Sequence, residues 1–372
     1  MAVKKASNKL EPADAAHGGR VYEAARRWGI APEEVIDFSA NINPLGPPPG
    51  VFAAIEHYIA AARLRAYPDS YAFISALADK HSVSSNEIVV GAGSAALMFA
   101  ALRALNPATV AVLEPGFDEY FRACAAVEAQ VTRIRLTEKN NFAPDFGALA
   151  RLIETRQCDL VILNSPHNPT GRLYAREDLM ALLDVAEAND VTVLLDEAFI
   201  DYAPQASLLH VAATTSRLIV LRSLTKFYAI PGLRVGYAVC SSDMAASINR
   251  QLDAWPVSTV ALEAGRAALV EDEYERVSRS VNAQARKEFA AALSEIGLSV
   301  FPSDANFLLV GLSRGSGAEL AEWLESSRIL IRRLDSFSGL GDAYIRLAVR
   351  SSEDNLRLVS LVDTWLGGSA KE

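Results

Sequence analysis

The most informative stretch of this chain is Leu218-Ile-Val-Leu-Arg-Ser223-Leu-Thr-Lys226-Phe-Tyr-Ala-Ile-Pro-Gly-Leu-Arg234-Val-Gly-Tyr. Its first four residues form an apolar run that is typical of a buried strand in a parallel sheet. A lysine flanked by small hydroxyl residues follows, at the carboxyl end of that strand. Open α/β sheets bind their ligands at this end. The stretch therefore predicts an α/β fold with a ligand site around Lys226.

The residues around Lys226 have the pattern of an anchor for pyridoxal phosphate (PLP). A lysine amine forms a Schiff base with the cofactor's aldehyde. Ser223 and Arg234 can hold the cofactor's phosphate. An isolated loop lysine is usually a surface residue, but these neighbours favour a functional one. We therefore predict that Lys226 is the Schiff-base residue.

Length and composition allow an enzyme and disfavour several other classes. The chain has 372 residues, enough for one large and one smaller domain. A net charge of -9 argues against binding to nucleic acid or to an anionic membrane surface. No apolar run is long enough for a transmembrane helix, and the polar residues 1–16 predict no signal peptide. The three cysteines form no CxxC pair, which favours free thiols in the cytoplasm and no metal site.

Short apolar runs alternate with amphipathic ones along the chain, which is the pattern of βαβ units. We predict a large, doubly wound, mostly parallel sheet of seven strands that is covered on both faces. The predicted strands are Glu87–Val90, Thr109–Leu113, Val131–Leu136, Leu160–Leu163, Val191–Leu195, Leu218–Leu221 and Val235–Val239. The predicted helices between them include Ala95–Leu105, Tyr120–Val127, Arg176–Ala188 and Met244–Leu252.

A long amphipathic run, Tyr274–Ile296, predicts a helix that leads into a smaller α+β unit. The N-terminal helix Val21–Trp28 is expected to join this unit. We predict a large PLP-binding domain at 40–270 and a small domain made of 1–39 and 271–372. The small unit's predicted strands are Leu298–Phe301, Phe307–Val310, Ile329–Ile331 and Tyr344–Ala348, and its helices are Ala318–Ser326 and Glu353–Trp365.

Two other strand ends carry residues that suit the cofactor. Gly91-Ala-Gly93-Ser94-Ala95 opens a helix, where free backbone N–H groups bind a phosphate. A dinucleotide-binding turn has a similar sequence. Two features argue against a dinucleotide site. One is Lys226, and the other is that the next strand, which is followed by Glu114-Pro115, does not end in an acidic residue in the position that would bind a ribose. Phe117, just after that strand, is placed to stack on a pyridine ring.

Asn168 and Asp196 follow two further strands. Asn168, in the turn Asn164-Ser-Pro-His-Asn168-Pro-Thr-Gly171, can donate a hydrogen bond to the cofactor's phenolate oxygen. Asp196 ends a hydrophobic strand, where a buried carboxylate is costly unless it is paired. Paired with a protonated pyridine nitrogen, it keeps the ring cationic and able to accept electrons from a substrate α-carbon. The alternative interpretations are a simple Asn-Pro turn and a helix-capping Asp.

The order of these motifs resembles that of fold-type-I PLP enzymes of the aminotransferase class, over essentially the whole chain. Four segments are similar, more narrowly, to L-threonine-O-3-phosphate decarboxylases of the cobalamin pathway, whose nearest relatives are histidinol-phosphate aminotransferases. The segments are His17-Gly-Gly, Asp37-Phe-Ser-Ala-Asn41-Ile-Asn-Pro-Leu-Gly46, Asp196-Glu-Ala-Phe-Ile-Asp201 and Lys226-Phe-Tyr-Ala-Ile-Pro-Gly.

The resemblance implies a role for each matching residue, with Lys226 and Asp196 as the catalytic pair. Tyr67 would reach the cofactor phosphate from a partner subunit, which implies a homodimer. The implied cofactor-binding residues are Gly93, Ser94, Ala95, Phe117, Asn168, Asp196, Phe199, Ser223, Lys226, Arg234 and Tyr67. The implied substrate-binding residues are Arg346, on the carboxylate, and His17, Asn41 and Arg332, at the far end with its phosphate.

Phe199 favours decarboxylation within this class. Related aminotransferases usually have a tyrosine there, which donates to the phenolate oxygen, whereas the decarboxylases have phenylalanine. Three positions depart from the family's pattern: Arg20 where asparagine is common, Ser70 where proline is expected, and Arg333 in a run that is usually Asp-Cys-Ser. An additional cation near the pocket, Arg20 or Arg333, leaves both phosphothreonine and phosphoserine open as substrates.

The expected activity is decarboxylation of phosphothreonine to (R)-1-amino-2-propanol phosphate. Phosphoserine decarboxylation to ethanolamine phosphate is one alternative, and a histidinol-phosphate aminotransferase, which needs 2-oxoglutarate, is another. A non-catalytic PLP-binding or regulatory protein is disfavoured by the intact Lys226 and Asp196. A nicotinamide dehydrogenase built on the glycine turn would show no Schiff-base absorbance.

Overall fold

The computed structural model describes residues 17–61, 65–335 and 337–368. Residues 1–16, on which the expectation of no signal peptide rests, lie outside this part. Among the described residues, no helix is long and apolar enough to cross a membrane. The helices are α1 (Val21–Trp28), α2 (Pro49–Ala60), α3 (Tyr71–His81), α4 (Ser94–Leu105), α5 (Asp118–Ala126), α6 (Phe146–Glu154), α7 (Arg176–Ala188), α8 (Leu209–Thr214), α9 (Ser242–Asn249), α10 (Thr259–Ala268), α11 (Asp272–Glu295), α12 (Gly317–Glu325) and α13 (Ser352–Gly368).

The strands form one large sheet and two smaller ones. They are β1 (Ile36–Asp37), β2 (Ile88–Gly91), β3 (Thr109–Glu114), β4 (Gln130–Arg135), β5 (Leu160–Asn164), β6 (Thr192–Asp196), β7 (Leu218–Ser223), β8 (Gly236–Val239), β9 (Ser299–Val300), β10 (Phe307–Gly311), β11 (Ile329–Leu330), β12 (Arg332–Arg333) and β13 (Tyr344–Ala348).

The large sheet has seven strands, as predicted, and their order is β2-β8-β7-β6-β5-β3-β4. Neighbouring strands from β7 to β4 pair in parallel, and β8 runs antiparallel to both of its neighbours. Along β5, Val161 and Leu163 pack on one face of the sheet, and Leu160 and Ile162 pack on the other. Burial on both faces explains why this strand is a continuous apolar run.

The register of the large sheet places the functional strand ends at one edge. Asn164, at the end of β5, pairs with Asp196 at the end of β6, and Asp196 in turn pairs with Leu221 of β7. Gly236, the first residue of the reversed β8, lies opposite both Ser223 and Gly91. The turns that carry the predicted cofactor residues therefore start from the same edge of the sheet.

The C-terminal part contains a four-stranded antiparallel sheet in the order β12-β13-β10-β9. The predicted strand Ile329–Ile331 is wrong in extent, because the chain divides it between two sheets. β11 pairs in parallel with β1, a strand that the sequence analysis missed, whereas β12 pairs with β13. This division brings Arg332 into a strand. The domain boundaries near residues 40 and 271 stay a prediction.

Candidate active site

A cavity of about 300 Å³ opens at the functional edge of the large sheet, within the size range of small-molecule sites. Most of the residues predicted for the site meet there, although they come from both halves of the chain. Those that line it are His17, Asn41, Ser94, Ala95, Phe117, Asn168, Asp196, Phe199, Ser223, Lys226, Arg234, Arg332 and Arg346. Gly93 caps the helix that begins at Ser94.

Lys226 lies three residues beyond β7, on a loop that the N-terminal part of the chain holds in place. The Lys226 carbonyl accepts a hydrogen bond from the Asn43 backbone N–H (3.0 Å), and the Asn43 side chain donates to the Phe227 carbonyl (2.9 Å). Burial, and then the charges of Arg346 and Arg234, lower the pKa of Lys226 to about 8. A substantial fraction of its amine is therefore neutral, and hence nucleophilic, near neutral pH.

Asp196 is buried at the end of β6, and both of its carboxylate oxygens accept hydrogen bonds. The Ala198 N–H donates to Oδ1 (3.0 Å) and the Tyr120 hydroxyl donates to Oδ2 (2.8 Å). Burial raises the pKa of Asp196 to about 6, although these two hydrogen bonds lower it. A carboxylate fixed in this way is suited to pair with a cation that enters the cavity.

Tyr120 and Thr225 also line the cavity, and the sequence analysis missed both as site residues. Tyr120 lies three positions beyond Phe117, and the two rings meet edge to face with centroids 5.6 Å apart. That spacing on a helix following a strand end was an available signal. The Thr225 and Ser223 hydroxyls lie 2.8 Å apart and share a hydrogen bond.

The start of α4 and Arg234 together form an anion site. Gly93 has a φ of +89°, and a Cβ there would lie 2.9 Å from Arg234 Nη2. Glycine is therefore required both by the backbone conformation and by the close approach of the guanidinium. The first-turn N–H groups of Ser94 and Ala95 have no partner within the helix and are free to bind a phosphate.

Asn168 and Phe199 also line the cavity. Asn168 Oδ1 accepts a hydrogen bond from Arg346 Nη1 (2.6 Å), so its amide NH₂ is the group left to donate to a ligand. The Phe199 ring is buried and packs edge to face on Phe307, with centroids 5.0 Å apart. Phe199 contributes apolar surface and no hydrogen-bond donor.

The expectation that no acidic residue ends the strand after the glycine turn is wrong. β3 extends to Glu114, so an acidic residue does end this strand. Its carboxylate is buried, with Arg133 Nη1 at 2.6 Å and Arg135 Nε at 3.5 Å. Glu114 is thus engaged in ion pairs and does not line the cavity, so this acidic residue does not indicate a dinucleotide site.

Arg332 and Arg346 lie directly opposite each other on the adjacent antiparallel strands β12 and β13. Side chains at such positions leave the same face of the sheet, about 5 Å apart at Cβ. Arg332 is 5% exposed and Arg346 is 7% exposed. Burial, and then the charge of Arg332, lower the pKa of Arg346 to about 9. Two cations are therefore held together in a mostly buried setting.

The outer end of the cavity contains His17 and Asn41, as predicted, together with Glu119, which was not predicted; Asp118 lies beside Arg332. His17 Nε2 lies 3.1 Å from Glu119 Oε1, and Arg332 Nη2 lies 3.9 Å from Asp118 Oδ2. Asn41 Oδ1 is buried and has no hydrogen-bond partner among the described residues. This end therefore contains both unsatisfied polar atoms and charges of both signs.

Three of the residues discussed above, Arg20, Tyr67 and Arg333, do not line the cavity of their own chain. Arg20 pairs with Glu23 (2.6 Å) and Arg333 pairs with Asp335 (2.7 Å), both on the surface. Tyr67 is 74% exposed and its ring stacks on Trp255, with centroids 4.2 Å apart. The two arginines thus have the environment of solvated surface residues.

The residues of the cavity fit PLP. Lys226, Asp196 and the anion site at α4 match the three reactive parts of that cofactor, which are an aldehyde, a ring nitrogen and a phosphate. The unpartnered polar atoms that face the cavity, including Arg346 Nε, leave further donors for a charged ligand. Fold and site together define the class of fold-type-I PLP enzymes.

The chain belongs to the family of class I and II aminotransferases, whose sequence model matches residues 33–362. It is 37% identical to a threonine-phosphate decarboxylase of Salmonella typhimurium, over 96% of this chain and 98% of that protein. The structure of an L-threonine-O-3-phosphate decarboxylase from Porphyromonas gingivalis is similar, with a TM-score of 0.80 and 26% identity, over 90% of this chain and 100% of that one.

A histidinol-phosphate aminotransferase from Sinorhizobium meliloti, solved in complex with PLP, shares the fold with a TM-score of 0.82. Its identity is 21%, over 93% of this chain and 94% of that chain. PLP is the cofactor of the family to which this chain belongs. The resemblance found in the sequence is therefore confirmed, as are the fold class and the cofactor.

Proposed function

We propose that the protein is a PLP-dependent lyase that decarboxylates L-threonine O-3-phosphate to (R)-1-amino-2-propanol O-phosphate, a step of cobalamin biosynthesis. The observation that carries the proposal is the pair of buried arginines on β12 and β13. Buried cations are costly unless an anion satisfies them. A substrate with one carboxylate and one phosphate supplies two anionic groups, one for Arg346 and one for Arg332.

The similarity to threonine-phosphate decarboxylases supports this assignment, and so does Phe199. With an apolar ring at this position, the Asn168 amide is the side chain placed to donate to the cofactor's phenolate oxygen. PLP, when bound, serves as the electron sink for cleavage of a bond at the substrate's α-carbon. In this site Asp196 would hold the ring nitrogen's proton, while α4 and Arg234 would bind the phosphate.

The chain's own residues would then orient the substrate and move one proton. Arg346, anchored through Nη1 on Asn168 and through Nη2 on the Ser39 carbonyl (2.9 Å), would hold the carboxylate in a fixed direction. His17, Asn41 and Arg332 would bind the distal phosphate. The Lys226 amine, with a pKa near the working pH, is suited to return a proton to the α-carbon after carbon dioxide leaves.

Side-by-side kinetics on phosphothreonine, phosphoserine, threonine and histidinol phosphate test this function. Each charge-assisted bond to phosphate contributes roughly 1.5–3 kcal/mol. Two such bonds give phosphothreonine an advantage of about 10²- to 10⁴-fold in kcat/KM over threonine. Equal rates on the two would refute the phosphate subsite. Turnover of histidinol phosphate that depends on a keto acid would instead identify an aminotransferase.

Phosphoserine is the second candidate substrate. It differs from phosphothreonine by one methyl group, and a methyl group discriminates by about 10- to 200-fold at most. The same two arginines would bind its carboxylate and phosphate. A kcat/KM for phosphoserine above that for phosphothreonine would assign the protein as a phosphoserine decarboxylase that makes ethanolamine phosphate.

We also propose a homodimer in which Tyr67 completes the partner's site. Tyr67 and Trp255 form a stacked pair on the surface, and Phe52, Ile59 and Tyr71 are exposed as well. Large exposed apolar side chains are typical of a contact surface. Mixing inactive Lys226→Ala and weakened Tyr67→Ala chains tests the proposal. Heterodimers would contain one intact site and regain activity, whereas an unchanged rate would contradict a shared site.

We propose that the enzyme acts in the cytoplasm. Cys124, Cys158 and Cys240 are all buried free thiols, which suit a reducing compartment. Fractionation of cells that produce the protein tests this location, and its recovery with exported proteins would contradict it.

A further inference from the structure

Asp118 lies beside Arg332, which lines the outer end of the cavity, and Asp118 has no role in the proposed function. It begins α5, with Glu119 next to it. Glu119 is engaged, because Arg122 Nη1 donates to its Oε1 at 2.5 Å and His17 lies 3.1 Å away. Asp118 Oδ2 is buried and has no hydrogen-bond partner among the described residues, and it lies 3.9 Å from Arg332 Nη2.

Arg332 has an open side that faces the cavity. Its side chain is 6% exposed, its guanidinium lies over the Phe337 ring at 5.2 Å, and Asp118 is its nearest carboxylate in the described part of the chain. A phosphate bound to Arg332 would therefore share that guanidinium with the Asp118 carboxylate. Two ionised acids so close in a desolvated site disfavour each other, and such pairs commonly hold one proton between them.

We propose that Asp118 determines specificity at the distal subsite by sharing one proton with the substrate's phosphate. A phosphate monoester that arrives as a dianion takes up this proton from solvent, and one that arrives as a monoanion brings it. The subsite then selects an anion that holds a proton near neutral pH over one that does not, such as a sulfate. The inference rests on the proposed function, because it assigns the phosphate to Arg332.

The groups around Asp118 leave it as the proton-sharing acid. Glu119 of α5 is paired with Arg122 and is also contacted by His17 from the N-terminal segment. Asp335, which follows β12, pairs with Arg333 on the surface. Burial raises the pKa of Asp118, and Glu119 raises it further, while Arg332, His17 and Arg122 lower it. A bound phosphate would add negative charge and raise it more.

Competition by inorganic phosphate and by sulfate tests the inference on the holoenzyme. Phosphate should inhibit at least about tenfold more strongly than sulfate, because phosphate can hold the shared proton and sulfate cannot. Calorimetric titration of phosphate at pH 8, in buffers with different ionisation enthalpies, should show uptake of about one proton per phosphate bound.

Asp118→Asn keeps the side-chain volume and removes the acid. The variant should take up no proton at pH 8, and its preference for phosphate over sulfate should fall to about threefold or less. Asp335→Asn is the matched control, since it removes one negative charge near Arg332 from the exposed side and should leave the proton uptake unchanged.

The outcomes separate this inference from the proposed function. If the wild-type protein takes up no proton, or if Asp118→Asn weakens phosphate and sulfate equally, Asp118 merely orients Arg332 and the inference is overturned. If neither anion competes with phosphothreonine and threonine is used equally well, the phosphate subsite itself is wrong. The inference is supported if the wild-type protein shows both the preference for phosphate and the proton uptake, and if both disappear in Asp118→Asn.

Discussion

The inner and outer ends of the cavity differ in how the chain builds them. The inner end, around Lys226 and Asp196, consists of turns that leave neighbouring strands of one sheet. The outer end joins His17 and Arg332, with Asp118 beside Arg332, and these residues come from segments far apart in the sequence. Both Asp196 oxygens accept hydrogen bonds, whereas Asp118 Oδ2 has no partner among the described residues.

This difference indicates that the two ends of the cavity have different functions. A preorganised inner end holds reactive groups at fixed positions, as catalysis of any reaction on PLP requires. The outer end contains charges that are incompletely satisfied until a ligand with the matching charges binds. The inner end would therefore set the chemistry that the family shares, and the outer end would set the choice of substrate.

Lys226→Ala should have the largest effect, because it removes the amine that holds the cofactor and carries the proton. If Lys226 is the Schiff-base and proton-carrying residue, kcat should fall by about 10⁴-fold or more. The Schiff-base absorbance should also vanish, as should the borohydride-trapped adduct. Lys287→Ala, at an exposed lysine of α11, is the control and should behave as the wild-type protein does. A retained covalent adduct in Lys226→Ala would refute the assignment.

Asp196→Asn should slow the α-carbon chemistry by about 10²- to 10³-fold, because loss of one member of a buried ion pair costs roughly 3–5 kcal/mol. Cofactor binding should weaken as well. A loss of less than about tenfold, or roughly 1.4 kcal/mol, would show that Asp196 does not pair with the ring nitrogen.

The same variant should stabilise the cofactor-free protein at neutral pH. The pKa of Asp196 is about 6 in the folded state against an ordinary value of 3.8. The unfolded chain therefore loses this proton first, so stability falls as pH rises from about 4 to about 6, by at most about 3 kcal/mol. Thermal unfolding of both cofactor-free proteins should show a gain for Asp196→Asn at pH 7 and none below pH 4. An equal difference at both pH values would contradict the raised pKa.

Arg332→Met should act on selectivity more than on chemistry. We expect kcat/KM for phosphothreonine to fall by about 10²-fold, with little change for threonine, since a buried charged contact is worth roughly 2–5 kcal/mol. Arg333→Met is the matched control, because its side chain is exposed and paired with Asp335. Equal losses on both substrates would indicate that Arg332 supports the fold and not the phosphate.

Capture of PLP by the cofactor-free wild-type protein should depend on pH. The pKa of Lys226 is about 8, and only the neutral amine attacks an aldehyde. The capture rate should therefore rise by about tenfold per pH unit below pH 8 and level off above it. Stopped-flow absorbance from pH 6 to 10 measures this. A rate that keeps rising to pH 10 would mean that burial does not lower this pKa.

Sequence patterns predicted the inner end well because local chemistry determines it. Hydrophobic strands followed by glycine, asparagine, aspartate or lysine identify one sheet edge, and the structure places Gly93, Asn168, Asp196 and Lys226 there. The large sheet and the helix Arg176–Ala188 were predicted for the same reason.

The outer end was predicted less completely because it depends on long-range contacts. Nothing near Asp118 in the sequence shows that it meets Arg332, more than two hundred residues away. The short pairing of β1 with β11 also had no sequence signal, since two-residue strands have no periodicity. His17, Asn41 and Arg332 were found through family resemblance and not through any local pattern.

Decarboxylation is tested most directly by release of labelled carbon dioxide from carboxyl-labelled phosphothreonine by the wild-type holoenzyme without a keto acid. We expect one carbon dioxide and one 1-amino-2-propanol phosphate for each phosphothreonine consumed, at a rate that 2-oxoglutarate does not change. Retention of the label in the substrate's carbon skeleton, together with amino transfer to 2-oxoglutarate, would contradict it.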